Sequence, residues 1–156
     1  MIRIRRAPLA LSLAAACAVL AAPPPAAAGE VEKTATFALD TWIALDSHDG
    51  PVTLHRVRLA RSGGAVKSHF VRPGNSEYLT DVQIQVEFSN EASSDWQMRL
   101  KVEWLDGDGR PIDGYDDTED LDSDSRHDQQ TVTLSTLRYG LERARQLRIR
   151  ITYSPG

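Results

Sequence analysis

Alternation of apolar and polar residues with a period of two runs through most of this chain. It is cleanest where Val82, Ile84, Val86 and Phe88 interleave with Gln83, Gln85 and Glu87. Successive strand residues point to opposite faces, so this segment reads as a half-buried β-strand. Met98, Leu100, Val102 and Trp104 alternate in the same way with Arg99, Lys101 and Glu103, and the short polar linker from Ser89 to Asp95 predicts a hairpin in the middle of a sheet. A closing strand is read from Leu147, Ile149, Ile151 and Tyr153 on one face, with Arg148, Arg150 and Thr152 forming a basic opposite face. Phe37, Leu39, Thr41, Ile43 and Leu45 form another period-2 set, Val132 and Leu134 mark a short run, and Val66 to Val71 reads as a strand ended by Pro73-Gly74-Asn75. Between Val52 and Leu59 the apolar phase changes around His55 and Arg56, a change that a β-bulge absorbs. Helical spacing is confined to Leu137, Leu141 and Ala144, and Gly140 limits it to one or two turns. About seven short strands without long helices predict an all-β fold, an antiparallel sandwich of immunoglobulin or fibronectin type III character.

The N-terminus breaks this pattern. Arg3, Arg5 and Arg6 precede an Ala/Leu run from Ala7 to Ala22 that is stopped by Pro23, Pro24 and Pro25, with no acid before Glu30. The run is shorter than the roughly 20 residues of a membrane span, and Ala26 and Ala28 suit a signal peptidase cutting before Gly29. Residues 1–28 are therefore expected to be a signal peptide and residues 29–156 a single domain, secreted or periplasmic. Cys17 raises a second outcome, a lipid anchor. Leu13 stands four residues before it, whereas a lipobox usually places such a residue three before, so a cysteine discarded with the leader is the favoured reading. No second cysteine exists, and the exported domain has no intrachain disulfide.

Composition is that of an ordinary globular domain, 41% hydrophobic and 26% charged. Residues 29–156 keep 15 basic against 22 acidic side chains, a net charge of −7, which argues against nucleic acid as a partner. Nine acids fall between Asp106 and Asp124 against the single base Arg110. The Asp-Gly steps there favour a tight reversal, Ile112 begins at most a brief edge strand after Pro111, and Asp116 to Asp124 reads as a solvated loop. Calcium takes six to eight oxygen ligands, so the cluster invites it, with Asp106, Asp108, Asp116 and Asp117 as candidate ligands. An EF-hand template laid from Asp106 meets Arg110 at its fifth position, Pro111 where glycine is needed and Asp117 at its twelfth, and fails. A site of another kind on the loops of a sandwich is the alternative to a plain run of like charge.

No catalytic set is read. Ser47-His48-Asp49 holds the residue types of a relay, but adjacent residues in a loop cannot converge on one another, and a turn at these three residues, flanked by Gly50-Pro51, is the simpler reading. His48, His55, His69 and His127 are scattered without zinc-site spacing. Trp42 is out of phase with Phe37, Leu39 and Ile43. It and Trp96 are candidates for an exposed sugar-stacking platform, although the core is the expected place for both. Arg138, Arg143, Arg145, Arg148 and Arg150 are expected to face solvent or pair with acids across the sheet, or to meet an anionic envelope polymer or an acidic partner surface.

Three local features resemble small Ig-like bacterial envelope proteins such as the YcfL-like lipoproteins. An alternating strand ends at Asn90; a second ends in a Trp-x-Asp-x-x-Gly pattern at Trp104, Asp106 and Gly109; and Ala144 to Ile149 leads into the final strand. The resemblance covers the second half of the exported chain. It implies an envelope-associated binding or accessory role without catalysis and assigns no functional residue. The long acidic segment and the imperfect lipobox depart from that group. The expectation is a non-enzymatic interaction module of the cell envelope, needing no cofactor, whose partner is an unknown envelope protein or polymer. The alternative is a calcium-dependent or aromatic-platform carbohydrate-binding module.

Overall fold

The segments with the cleanest alternation become the central strands. A computed structural model describes residues 29–62 and 78–156. In chain order it contains β1 (Gly29–Thr36), β2 (Ile43–Asp49), β3 (Val52–Arg61), β4 (Leu79–Asn90), β5 (Trp96–Leu105), β6 (Pro111–Leu121), β7 (Ser125–Leu137), the helix α1 (Arg138–Arg143) and β8 (Gln146–Pro155). The described residues form an all-β sandwich of two antiparallel four-stranded sheets, ordered β1-β8-β5-β6 and β2-β3-β4-β7. The first strand lies against the last, whereas in an immunoglobulin constant domain the first lies beside the second. Residues 1–28, with Cys17, lie outside the described residues, as do the strand expected at Val66 to Val71, its Pro73-Gly74-Asn75 turn and His69.

The core sits between the sheets. Val52, Leu54, Val57 and Leu59 of β3 and Val82, Ile84, Val86 and Phe88 of β4 meet Met98, Leu100, Val102 and Trp104 of β5 and Leu147, Ile149, Ile151 and Tyr153 of β8. These are the period-2 residues, so each central strand contributes its apolar face and nothing else. The bulge expected near His55 is present, with Leu54 opposite Phe88 but Arg56 opposite Glu87. The short helix also falls where its spacing placed it.

Three expectations are corrected. β4 and β5 are not a hairpin: β4 pairs with β3 and β7, and β5 with β6 and β8. Both strands have an apolar face to bury, and facing each other across the core buries both. Their connection is an arch pinned by Asn90, which has no exposed surface. Asn90 Nδ2 donates to Ser94 O at 3.2 Å and Leu121 O at 3.1 Å, and its Oδ1 accepts from Ala92 N at 3.0 Å. Second, the Phe37 to Leu45 set is not one strand, because Asp40 takes a left-handed backbone (φ 62°) and the chain crosses there from one sheet to the other. Its side chain then holds Arg61 N at 3.0 Å. Third, Asp116 to Asp124 is not a loop throughout, since Asp116 to Leu121 belong to the strand β6, while the tight reversal expected before it is present. Asp106 accepts from Asp108 N and Arg110 N, both at 2.9 Å, and closes a tight turn with Gly109 at φ 78°. The acids that follow lie mostly in β6, an edge strand paired with β5 without interruption from Asp113 to Leu121, after a register shift at Ile112.

Candidate functional site

Chemistry-bearing side chains gather most densely on the outer face of the β2-β3-β4-β7 sheet, where two bulges flank the end of β4. One is at His55. The other is on β7, where pairing passes from Phe88 with Asp128 to Asn90 with Ser125, and His127 takes φ 49° in the space between. Each bulge re-aims a histidine over β4. The imidazoles of His55 and His127 stack with centroids 4.3 Å apart and planes at 16°. Beneath them lie Glu87 and Ser89, both largely buried. His127 Nδ1 donates to Glu87 Oε1 at 2.9 Å, and Arg56 Nε donates to Glu87 Oε2 at 2.6 Å. His55 Nε2 and Ser89 Oγ share a hydrogen bond of 2.8 Å, while Ser89 Oγ accepts from His127 N at 3.1 Å.

The hydrogen bond from His127, and then those and the charge of Arg56, hold the Glu87 carboxyl below the usual range even though burial opposes this. Burial first, and then the neighbouring His127, hold His55 below the ordinary imidazole value. The set contains a hydroxyl, a neutral imidazole and a carboxylate, yet it is not a nucleophilic relay. The imidazole that touches Ser89 is His55, and the carboxylate is held by the other ring. Stacked rings also keep their in-plane lone pairs side by side, which prevents convergence on one ion. Among the described residues no three His, Cys, Asp or Glu side chains are grouped to hold a metal. The four histidines looked scattered in the sequence; bulges on two distant strands bring two of them together.

Trp42 lies beside this cluster, and the expectation of a core position for it is corrected. It is half-buried on the outer face, with the Arg56 and Arg58 guanidinium carbons 4.5 and 4.4 Å from its ring centroid. Arg58 Nε donates to Gln85 Oε1 at 2.7 Å, and Gln85 Nε2 to Gln83 Oε1 at 3.1 Å. The result is a hydrogen-bonded polar surface with an aromatic at one margin. Trp96, by contrast, is in the core.

The structure disperses the calcium candidates. Asp106 and Asp108 belong to the β5-β6 turn, where Asp106 is occupied with backbone amides. Asp116 points outward and pairs with Arg99 at 2.9 Å and Lys101 at 3.6 Å. Asp117 is on the opposite face of β6, in register with the core residue Leu100. Asp113, Tyr115 and Glu119 share that inward face. Thr136 donates to Asp113, Tyr115 donates to Glu119, and Gln130 Nε2 donates to Glu119 Oε2 at 2.6 Å.

The turn expected at Ser47, His48 and Asp49 is corrected: pairing with Leu54, Thr53 and Val52 holds the three extended at the end of β2, and the turn follows at Gly50 and Pro51. Ser47 shares a 3.0 Å hydrogen bond with Tyr153 OH, and His48 one of 2.9 Å with Thr53. Of the C-terminal arginines, Arg148 pairs with Glu103 at 3.5 Å and Arg150 with Glu32 at 3.0 Å across the other sheet, the cross-sheet pairing expected. A hollow of about 330 Å³ near α1 is lined by Leu39, Arg61, Asp81, Arg138 and Glu142 among others, and contains none of the Ser89 cluster. No helix among the described residues is long and apolar enough to cross a membrane. Neither a protein-family model nor a curated protein matches the chain.

Proposed function

We propose that this protein is an exported interaction module of the cell envelope. In this reading residues 1–28 are a signal peptide removed before Gly29, and the sandwich binds an envelope protein or polymer without catalysing a reaction. The observation that carries the reading is the distribution of reactive side chains. Among the hydrogen bonds of the described residues, the only one between a serine hydroxyl and a histidine ring, Ser89 with His55, lies on an outer sheet face, and that imidazole has no carboxylate hydrogen-bond partner. Polar sheet faces of this kind recognise partners by surface complementarity.

Expression of the full chain followed by fractionation tests both parts. The expected result is a chain beginning at Gly29 in the exported fraction that binds washed envelope material saturably. A full-length chain kept in the cytoplasm, or an exported chain that binds no envelope component, overturns the proposal. A second reading, a carbohydrate-binding module, is favoured by the outward position of Trp42 beside Arg58, Gln85 and Gln83. For that reading, glycan binding should disappear in Trp42→Ala while the fold loses only about 1 kcal/mol of cation–π stabilisation. An array without binding, or binding unchanged in the variant, removes it.

A further inference from the structure

The four sheet edges are not guarded alike. β1 carries Glu30, Glu32 and Lys33; β2 has seven residues, with a register shift and Asp46 in a left-handed backbone; and β6 carries Asp113, Asp116, Asp117, Glu119 and Asp120. Charges and bulges of this kind keep other strands from adding to an edge. β7 is the exception. From Gln129 to Leu137 it has no charge, proline or glycine, and among the described residues β4 is its one sheet neighbour. Arg138 N donates to Tyr78 O at 2.9 Å, so the even-numbered residues of β7 turn their backbone groups toward β4. Gln129, Thr131, Thr133, Ser135 and Leu137 therefore present theirs to the open side. The bond from Gln129 N to Asp128 Oδ1, at 2.7 Å, fits this phase.

We infer that this edge takes an extended basic segment of the partner as an added antiparallel strand. The inference rests on the interaction reading above and names its surface and the chemistry of its partner. Charge selects the occupant. β6 lies at the same side of the sandwich and carries Asp113, Asp117 and Glu119 on its core-side face, Asp117 exposed at the edge and the other two bridged to Thr136 and Gln130 of β7. Alternate side chains of a strand added to β7 descend beside Val132 and Leu134 toward these carboxylates. Lysine or arginine there is attracted and acid is repelled. A second copy is a poor occupant, because pairing β7 with itself sets one acidic β6 against the other.

The probes are ten-residue peptides alternating lysine with threonine, a glutamate–threonine counterpart, and two N-methylated lysine peptides. Binding is measured by fluorescence anisotropy to the protein purified after expression of the full chain. Lysine side chains that point inward belong to residues whose amides face away from β7. Methylating the threonine amides should therefore weaken binding by about tenfold or more, while methylating the lysine amides leaves it nearly unchanged. Thr133→Pro removes an amide that faces the open side and should also lose about tenfold. Asp117→Asn should weaken binding and reduce its salt dependence. Equal binding of the two methylated peptides, or equal binding of the lysine and glutamate peptides, overturns the inference, and this comparison stands even where Thr133→Pro fails to fold. A dimer in sedimentation that Thr133→Pro abolishes would assign the edge to a second copy and likewise overturn it. Envelope binding that survives both substitutions sinks this inference and leaves the interaction reading intact.

Discussion

Asn90 carries an amide with no exposed surface, and three backbone groups of the β4-β5 arch and the end of β6 depend on it. Replacing it by alanine leaves Leu121 O without its partner in the interior and releases the half-buried ends of the arch, and Asn90→Ala should cost about 1–3 kcal/mol in urea unfolding. A loss below about 0.5 kcal/mol would mean that the arch is held by something else. The sequence marked Asn90 as the end of an alternating strand, but its role required knowing that the chain changes sheets there. The His55–Glu87 cluster makes a pH prediction at the same scale. Both folded-state pKa values lie below their ordinary values of 6.5 and 4.5, so the folded state binds fewer protons than the unfolded chain. Their contribution to stability is full above pH 6.5. On acidification that of His55 is lost first, as the pH falls from 6.5 through its lowered folded value, and that of Glu87 follows as the pH falls from 4.5 through its own. Thermal melts across this range should show a falling Tm, and Glu87→Gln should flatten the lower part of the curve. An unchanged slope in the variant would remove the Glu87 contribution. None of this was visible in spacing, because two bulges on separate strands assemble the cluster.

Among the elements, β6 departs furthest from its sequence reading. Nine acids and the Pro111 start suggested a loop, since repelling side chains rarely line a strand. The strand forms because β5 offers it a ladder unbroken from Asp113 to Leu121, and because Asp113 and Glu119 find Thr136 and Gln130 on the neighbouring sheet. Close approach to β5 needs glycine at one position: a Cβ on Gly114 would lie 2.5 Å from Val102 O. Gly114→Val should cost about 1–3 kcal/mol by forcing β6 off its partner. In the β5-β6 turn a Cβ on Gly107 meets nothing within 4 Å, and Gly107→Ala should stay within about 0.5 kcal/mol. Chemical unfolding of the two variants side by side checks the contrast, and equal losses would refute it. The same edge logic exposes β7: a neutral Thr/Gln run reads in the sequence as a weak strand, and only its place at the end of a sheet makes it a surface.

For the whole molecule, the dispersal of Asp106, Asp108, Asp116 and Asp117 bears on calcium. A ligand bound only to the folded state raises Tm, so melts with and without millimolar calcium should coincide, and a chelator-reversible rise would restore the metal reading. What the sequence determined by itself is the fold class and the core. Period-2 alternation assigns each strand residue to one face or the other, and the apolar faces of β3, β4, β5 and β8 had to be buried together. Tertiary structure alone decided which strands pair, which strands stand at an edge among the described residues and which distant polar groups meet. Alternation is a property of one strand and is silent about its neighbours. The arch in place of a hairpin, Trp42 outside the core and the stack of His55 on His127 all depend on contacts between segments far apart in the chain, where local pattern carries no information.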